Sequence, residues 1–481
     1  MIRTLYIAVS ILLGLLLFSA GVRGQDTSAQ PDKPLPPDTL NTKNDASQEE
    51  ADAIFPIDTP KVVPDTRPLA GAQALTLGTV SKTRSFILPS FTAMAQWQKS
   101  PYLSSSSNNS DTSFNGFVGG RLALNEISQN SSLLLDYLAG GSFAKNYTLG
   151  NSLIQNLDFA YTLHRGRWTT MLGDEFSYLS AAPFGFGGIG GLGSLGIALG
   201  NGVGSSPGFL TNFAPSQSLF LNGAARISNS VIGQEDYALS HRSSLTIVGS
   251  YGVLKFIDAG FEDGSNVSLQ AGYNYAVSRK DIISVSYQFN RFVYFNAPPK
   301  ILNHVAQFAY ARRLTGRVTF QVSGGPQFQD YQDALTETGN AVGWSLYSSL
   351  FYDLGRTGFS ASYSHGQTGG SGIFLGAETD LAQGMASHKF SRDWDGSLML
   401  GYSRNNTLRQ TTTVDGTASP QAWFATGQLN RHFIRYGSLF VSYTISRQSS
   451  LSSFCSLPSC NAATSHFVSV GYTWGLRPVV L

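Results

Sequence analysis

Arg121, Asp136, Asp158, Glu175 and Asp236 are the charged side chains whose positions in the sequence pattern could do chemistry together. Each falls within a run of roughly ten residues that reads as a strand, at a position assigned to a wet inner face. Acids opposed to a base across water set up a transverse field that orders polar solutes and sorts them by charge. A satisfied structural network is the equal alternative. The net acidic balance of the set points to a mild preference for cations.

Other chemistry finds little support. Ser364 and His365 are a nucleophile and a base in name, but neighbours in a strand project to opposite faces, and the seven histidines are scattered. No catalytic residue is assigned. Cys455 and Cys460, the only cysteines, are too few to hold a metal without a nearby pair of histidines. In an exported chain they most simply close a disulfide loop. The glycine-rich run after Ala182 contains no Gly-Lys-Ser/Thr sequence, so no phosphate cradle is indicated. A net charge of +2 without a long basic stripe argues against nucleic acid. No cofactor and no metal are called for.

The elements that would position these residues follow from composition and period. Of 481 residues only 13% are charged, while glycine numbers 51 and aromatics reach 12%. Mean hydropathy is −0.05, and past the N-terminus no segment offers the ~18 consecutive apolar residues of a spanning helix. Alternation dilutes hydrophobicity in this way: Ile283, Val285, Tyr287 and Phe289 interleave with Ser284, Ser286, Gln288 and Asn290. The last such run places Val468, Val470, Tyr472, Trp474 and Leu476 opposite Ser469, Gly471, Thr473 and Gly475. About eighteen runs of this kind lie between residues 86 and 476, with sixteen as the alternative because 168–178 and 378–390 are poorly patterned. In the first of these Asp174 shares parity with Leu172 and Phe176, so either Gly173 marks a bulge or the register shifts.

Connections alternate between short and long. Short ones such as 164–167, 240–243 and 278–281 carry arginines, including Arg165, Arg242 and Arg279. Long ones such as 257–266 and 329–341 carry acids, including Glu262 and Asp330. Trp168, Trp344, Trp394 and Trp474 fall near the ends of runs, where an interface between lipid and water would hold them. Residues 1–24 read as a secretory signal, and 25–83 as a disordered, Pro-rich and acidic extension that serves as a tether or as a partner-binding arm.

Ser469-x-Gly471-x-x-Trp474-x-Leu476 resembles the C-terminal assembly signal of bacterial outer-membrane β-barrels, although Arg477-Pro478-Val479-Val480-Leu481 follow it. With the alternating strands and loops, 84–481 resembles an outer-membrane barrel of the porin-like class. The resemblance implies an all-β fold, a transmembrane antiparallel up-and-down β-barrel, with short turns on the periplasmic side. It implies the outer membrane as location, membrane lipid and the barrel-assembly machinery as partners, and a homo-oligomer as one assembly state. It also implies passive diffusion of small hydrophilic solutes, with a plugged surface scaffold, adhesin or envelope tether as the alternative and an outer-membrane enzyme last. Porins often fold their third loop inward, and 180–229, with Phe184 and Phe186 in its glycine-rich stretch, is the third long connection here. It is therefore the expected constriction or plug, against a surface flap as the other reading.

Overall fold

The computed structural model describes residues 62–63, 68–72, 78–79, 85–99, 112–144, 152–179, 225–257, 261–295, 300–332, 339–372, 375–407, 419–434, 437–449, 462–477 and 479–480. The signal segment, Cys455, Cys460, Phe184 and Phe186 lie outside the described residues, as does the connection 180–224.

Eighteen antiparallel strands close on themselves. The first six are β1 (Phe86–Lys99), β2 (Thr112–Ile127), β3 (Ser131–Ala144), β4 (Ser152–Arg165), β5 (Trp168–Leu179) and β6 (Arg226–Ala238). Then come β7 (Ser243–Phe256), β8 (Gly264–Ala276), β9 (Asp281–Tyr294), β10 (Lys300–Thr315), β11 (Val318–Gln332) and β12 (Gly339–Asp353). The circuit is completed by β13 (Thr357–Thr368), β14 (Ala377–Lys389), β15 (Trp394–Thr407), β16 (Gln421–Ile434), β17 (Gly437–Gln448) and β18 (Ala463–Gly475). Each is long enough for a tilted crossing of a hydrocarbon layer.

The period of two separates the faces as the sequence requires. On β9, Val285 and Tyr287 are 60% and 51% exposed, whereas Ser284, Ser286, Gln288 and Asn290 are buried. In water an exterior of that kind would be an aggregation surface; in lipid it is the solvated one. Trp168 and Trp394 begin their strands at the short-turn end, and Trp474 sits at the same end of β18. The Arg431 guanidinium lies 5.3 Å from the Trp394 ring centre, which suits a cation at a head-group boundary.

Closure joins the last strand to the first. Val468 opposes Trp97 and Trp474 opposes Phe91, while inside the wall Gln96 Nε2 donates to Ser469 Oγ at 3.2 Å. The residues after the assembly-signal pattern extend the seam: Val479 and Val480 pair with Ile87 and Phe86. Within the wall, large inward rings are seated over missing side chains. Phe424 lies opposite Gly401, and Phe440 lies opposite Gly471, whose added Cβ would come within 2.2 Å of the Phe440 ring. The glycine in the terminal pattern is thus a socket for a neighbouring phenylalanine.

Two local expectations are corrected. Pairing of β5 with both neighbours runs through Gly173 without a shift, so there is no bulge. Asp174 does share the outer face with Leu172 and Phe176, and accepts a 2.8 Å hydrogen bond from Asn229 Nδ2. The poorly patterned 378–390 is a wall strand all the same, paired with β15 from Lys389–Asp395 to Ala377–Thr407, so the count is eighteen and not sixteen. Pairing of β12 with β13 stops at Leu346–His365, although β12 stays paired with β11 as far as Gly339. Beyond that point the top of β13 parts from β12, while β14 stays joined to β15 as far as Ala377–Thr407.

Candidate functional site in the barrel lumen

The tip of the β13–β14 hairpin reaches across the interior. Its connection begins with a 3-10 turn, Gly370–Gly372. Tyr294 Oη donates to Gly369 O at 3.3 Å, and Glu262 N donates to Gly372 O at 2.8 Å. These partners lie on or beside β9 and β8, several strands away around the wall. Gly372 has φ +79°, and its missing Cβ leaves room for the Phe256 ring. A side chain there would be both strained and in collision. Gln327 Nε2, on the inner face of β11, reaches Gln367 Oε1 of the infolded hairpin at 3.4 Å.

At the point of departure His365 is held on three sides. Its Nδ1 lies 2.8 Å from Asp380 Oδ1, its Nε2 lies 3.0 Å from Glu378 Oε1, and the Trp344 ring stacks on it at 3.9 Å. Tyr363 Oη also donates to Asp380 Oδ1 at 2.7 Å. With a carboxylate at each ring nitrogen, His365 has no nitrogen left to activate Ser364 or a water. The cluster pins the hairpin.

Between the hairpin and the inner wall of β7–β12 is a cavity lined mainly by amides, hydroxyls and aromatic rings, among them Asn266, Gln288, Asn303, Gln327, Gln367 and Tyr294. Gln288 Nε2 donates to Ser268 Oγ at 3.0 Å and to Asn290 Oδ1 at 3.1 Å, so the amide row is mutually oriented.

A second occupant enters from the short-turn end. Within the arm expected to extend freely from the barrel, Val62 and Val63 pair with Thr79 and Gly78. Residues 68–72, which lie between these pairs in sequence, sit inside the barrel. Gly71 N donates to Pro68 O at 3.0 Å, closing a turn. Ala70 N donates to Asn274 Oδ1 and Ala72 N to Gln234 Oε1, both at 2.8 Å, while Gln270 Nε2 donates to Ala70 O at 2.9 Å. Leu69 packs on Ala309, Ala311 and Ile282; Ala72 packs on Met171, Ile232 and Val248. Gly272 admits the approach, since an added Cβ there would lie 2.4 Å from Ala70 Cβ.

Asp236 organises this seat. It accepts from Gln234 Nε2 at 2.8 Å, leaving Gln234 Oε1 turned to Ala72. It also accepts from Thr246 Oγ1 at 2.7 Å, and Thr246 in turn accepts from Asn274 Nδ2 at 2.9 Å, leaving Asn274 Oδ1 for Ala70. One carboxylate therefore sets the polarity of both amides that hold the arm.

The other charged candidates form a separate group. Arg121 Nε donates to Asp136 Oδ1 at 2.7 Å, and its second nitrogen pairs with Asp136 Oδ2. In the register Asp136 opposes Asp158, and Asp158 opposes Glu175, so three carboxylates run side by side across β3, β4 and β5. Like charges in that arrangement repel and attract counter-charge. The infolded hairpin, the arm seat and the amide cavity were not singled out from sequence. Faint signals exist: Gly366-Gln-Thr-Gly-Gly-Ser-Gly372 between two strands, and Met171, Ile232 and Val248 on inner faces otherwise occupied by polar residues.

A closed antiparallel barrel with an apolar exterior, a polar interior, tryptophans at the short-turn end and alternating short and long connections has the architecture of a transmembrane β-barrel and resembles the porin-like class. No protein-family model and no curated protein matches the sequence. Among solved structures, the outer-membrane protein OpdK of Pseudomonas aeruginosa aligns at 10% identity and TM-score 0.40, covering 81% of this chain and 99% of that one. OccK2 (OpdF) of the same organism, solved with glucuronate, aligns at 12% identity and TM-score 0.41 over 81% and 98% of the two chains. OccAB3 of Acinetobacter baumannii aligns at 9% and 0.40, over 81% and 99%.

Proposed function

We propose that this chain is an outer-membrane channel through which small hydrophilic solutes diffuse, with a mild preference for cations. The observation that carries the reading is the inner face itself: serine, threonine, asparagine and glutamine line strand after strand of a closed wall whose exterior is apolar. A polar lining of that kind solvates a small polar solute at little cost. The acidic row of Asp136, Asp158 and Glu175 supports the charge preference. Reconstitution in a planar bilayer under a salt gradient tests it: a reversal potential on the cation side is expected, and an anion-side value contradicts the preference.

A second reading is favoured by the arm. With residues 68–72 seated in the lumen and the β13–β14 hairpin above, the barrel can serve as a closed or gated body whose arm presents it to the periplasm. Full-length protein that is silent, but conducts once 68–72 are deleted, selects this reading over the open channel.

A further inference from the structure

The amide cavity under the β13–β14 hairpin has a composition that specifies a ligand class. Among the described residues lining it there is no lysine or arginine, and the charged side chain it exposes on the wall side is the single carboxylate of Glu262. His365, the other titratable group there, is engaged by Glu378 and Asp380. An anion would find no cation to pair with, and a hard metal ion would find too few oxygens of the right charge.

Polar atoms in the cavity are short of partners, however. Asn303 Oδ1, Gln367 Nε2 and Glu262 Oε2 are buried and have no hydrogen-bond partner within the protein. Two are acceptors and one is a donor, spread over the wall and the hairpin facing it. Buried polar groups are nearly always paired, by protein, water or ligand. A hydroxyl is the group that matches mixed amide edges, since it donates and accepts at once, and several hydroxyls on one ring reach several edges together. The rings of Tyr294, Phe292 and Tyr347 on the same cavity supply flat apolar faces for the C–H side of such a ring.

We propose that this cavity is a binding site for a neutral, polyhydroxylated solute of about one pyranose ring, with Asn303, Gln367 and Glu262 as its hydrogen-bonding residues. The site rests on the channel reading only for the solute's route to it. Glucose, glucuronate and cyclohexanemethanol are suitable probes: glucuronate replaces the hydroxymethyl of glucose by a carboxylate, and cyclohexanemethanol removes the ring hydroxyls. Binding is measured by calorimetry on the full-length protein refolded in detergent, with the folded fraction read from its heat-modifiable mobility on gels.

Saturable glucose binding is expected, at least about tenfold tighter than glucuronate or cyclohexanemethanol. Asn303→Ala and Gln367→Ala should each weaken it by about three- to tenfold, the effect of losing one hydrogen bond. Ser442→Ala, on the inner wall but outside the cavity, should leave it unchanged. Absence of glucose binding to folded protein, equal or tighter binding of glucuronate, or indifference to both amide substitutions overturns the proposal. A barrel that binds glucose in detergent but never conducts in a bilayer refutes the channel and leaves the site. One that conducts without binding refutes the site alone.

Discussion

Replacing Asp236 by alanine should unseat the arm. Its carboxylate orients Gln234 directly and Asn274 through Thr246, and those two amides accept the Ala72 and Ala70 N–H groups. Without the carboxylate Gln234 is free to rotate and Asn274 keeps only Ser244 Oγ, at 3.3 Å, and a Thr246 hydroxyl that is no longer oriented, so the two backbone bonds lose their fixed acceptors. At about 1 kcal/mol net for each bond the seat weakens by about 2 kcal/mol, or about 30-fold in population. Hydrogen exchange read by mass spectrometry on peptides covering 68–72 reports this directly, because the amides in question are the donors. Exchange in the native protein should be protected, and in Asp236→Ala it should be about 30-fold faster, while peptides from β16 and β17 stay unchanged. Thr246→Val, which cuts only the Asn274 branch, should give an intermediate acceleration. Exchange of 68–72 at the rate of a free peptide in the native protein, or protection unaffected by Asp236→Ala, would refute the role given to both the arm and the aspartate.

Further outcomes follow from the same geometry. Gly372→Val places a β-branched side chain at φ +79° and against the Phe256 ring, so the hairpin should leave the lumen; single-channel conductance should rise, and an unchanged value counts against the infolded hairpin as a constriction. Gly471→Leu drives a side chain into the Phe440 ring at the closing seam and should destabilise the barrel by about 1–3 kcal/mol, seen as a lower temperature of the heat-modifiable transition. Adding Phe440→Ala should recover part of that loss. Arg121→Ala removes the base beside the acidic row and leaves Asp136 unpaired by it; the reversal potential should move further to the cation side, and movement to the anion side would contradict the field argument.

The wall of this barrel was legible because its rule is local. A period of two, read off Ile283–Asn290 or Val468–Leu476, fixes face and register together, and eighteen strands are found, the poorly patterned 168–178 and 378–390 among them. The lumen was not legible because its occupants obey no period. The arm tip is a short, weakly polar segment whose seat is created by Gln234, Gln270 and Asn274 from two strands distant in sequence. Those amides look like ordinary inner-face residues until something is found between them. The infolding of the hairpin tip shows only as the end of the β12–β13 pairing at Leu346–His365, which no sequence period marks. Asp236 was visible as an inward charge, but its role as an orienter of two amides depends on Thr246 and Asn274 across two strand pairings.

The most direct test of the channel is single-channel recording from the refolded protein in a planar bilayer across a salt gradient, with the form lacking residues 68–72 recorded beside it. Stable steps with a cation-side reversal potential, larger once the arm tip is removed, are the predicted result. A correctly folded barrel that is silent in both forms would contradict the channel.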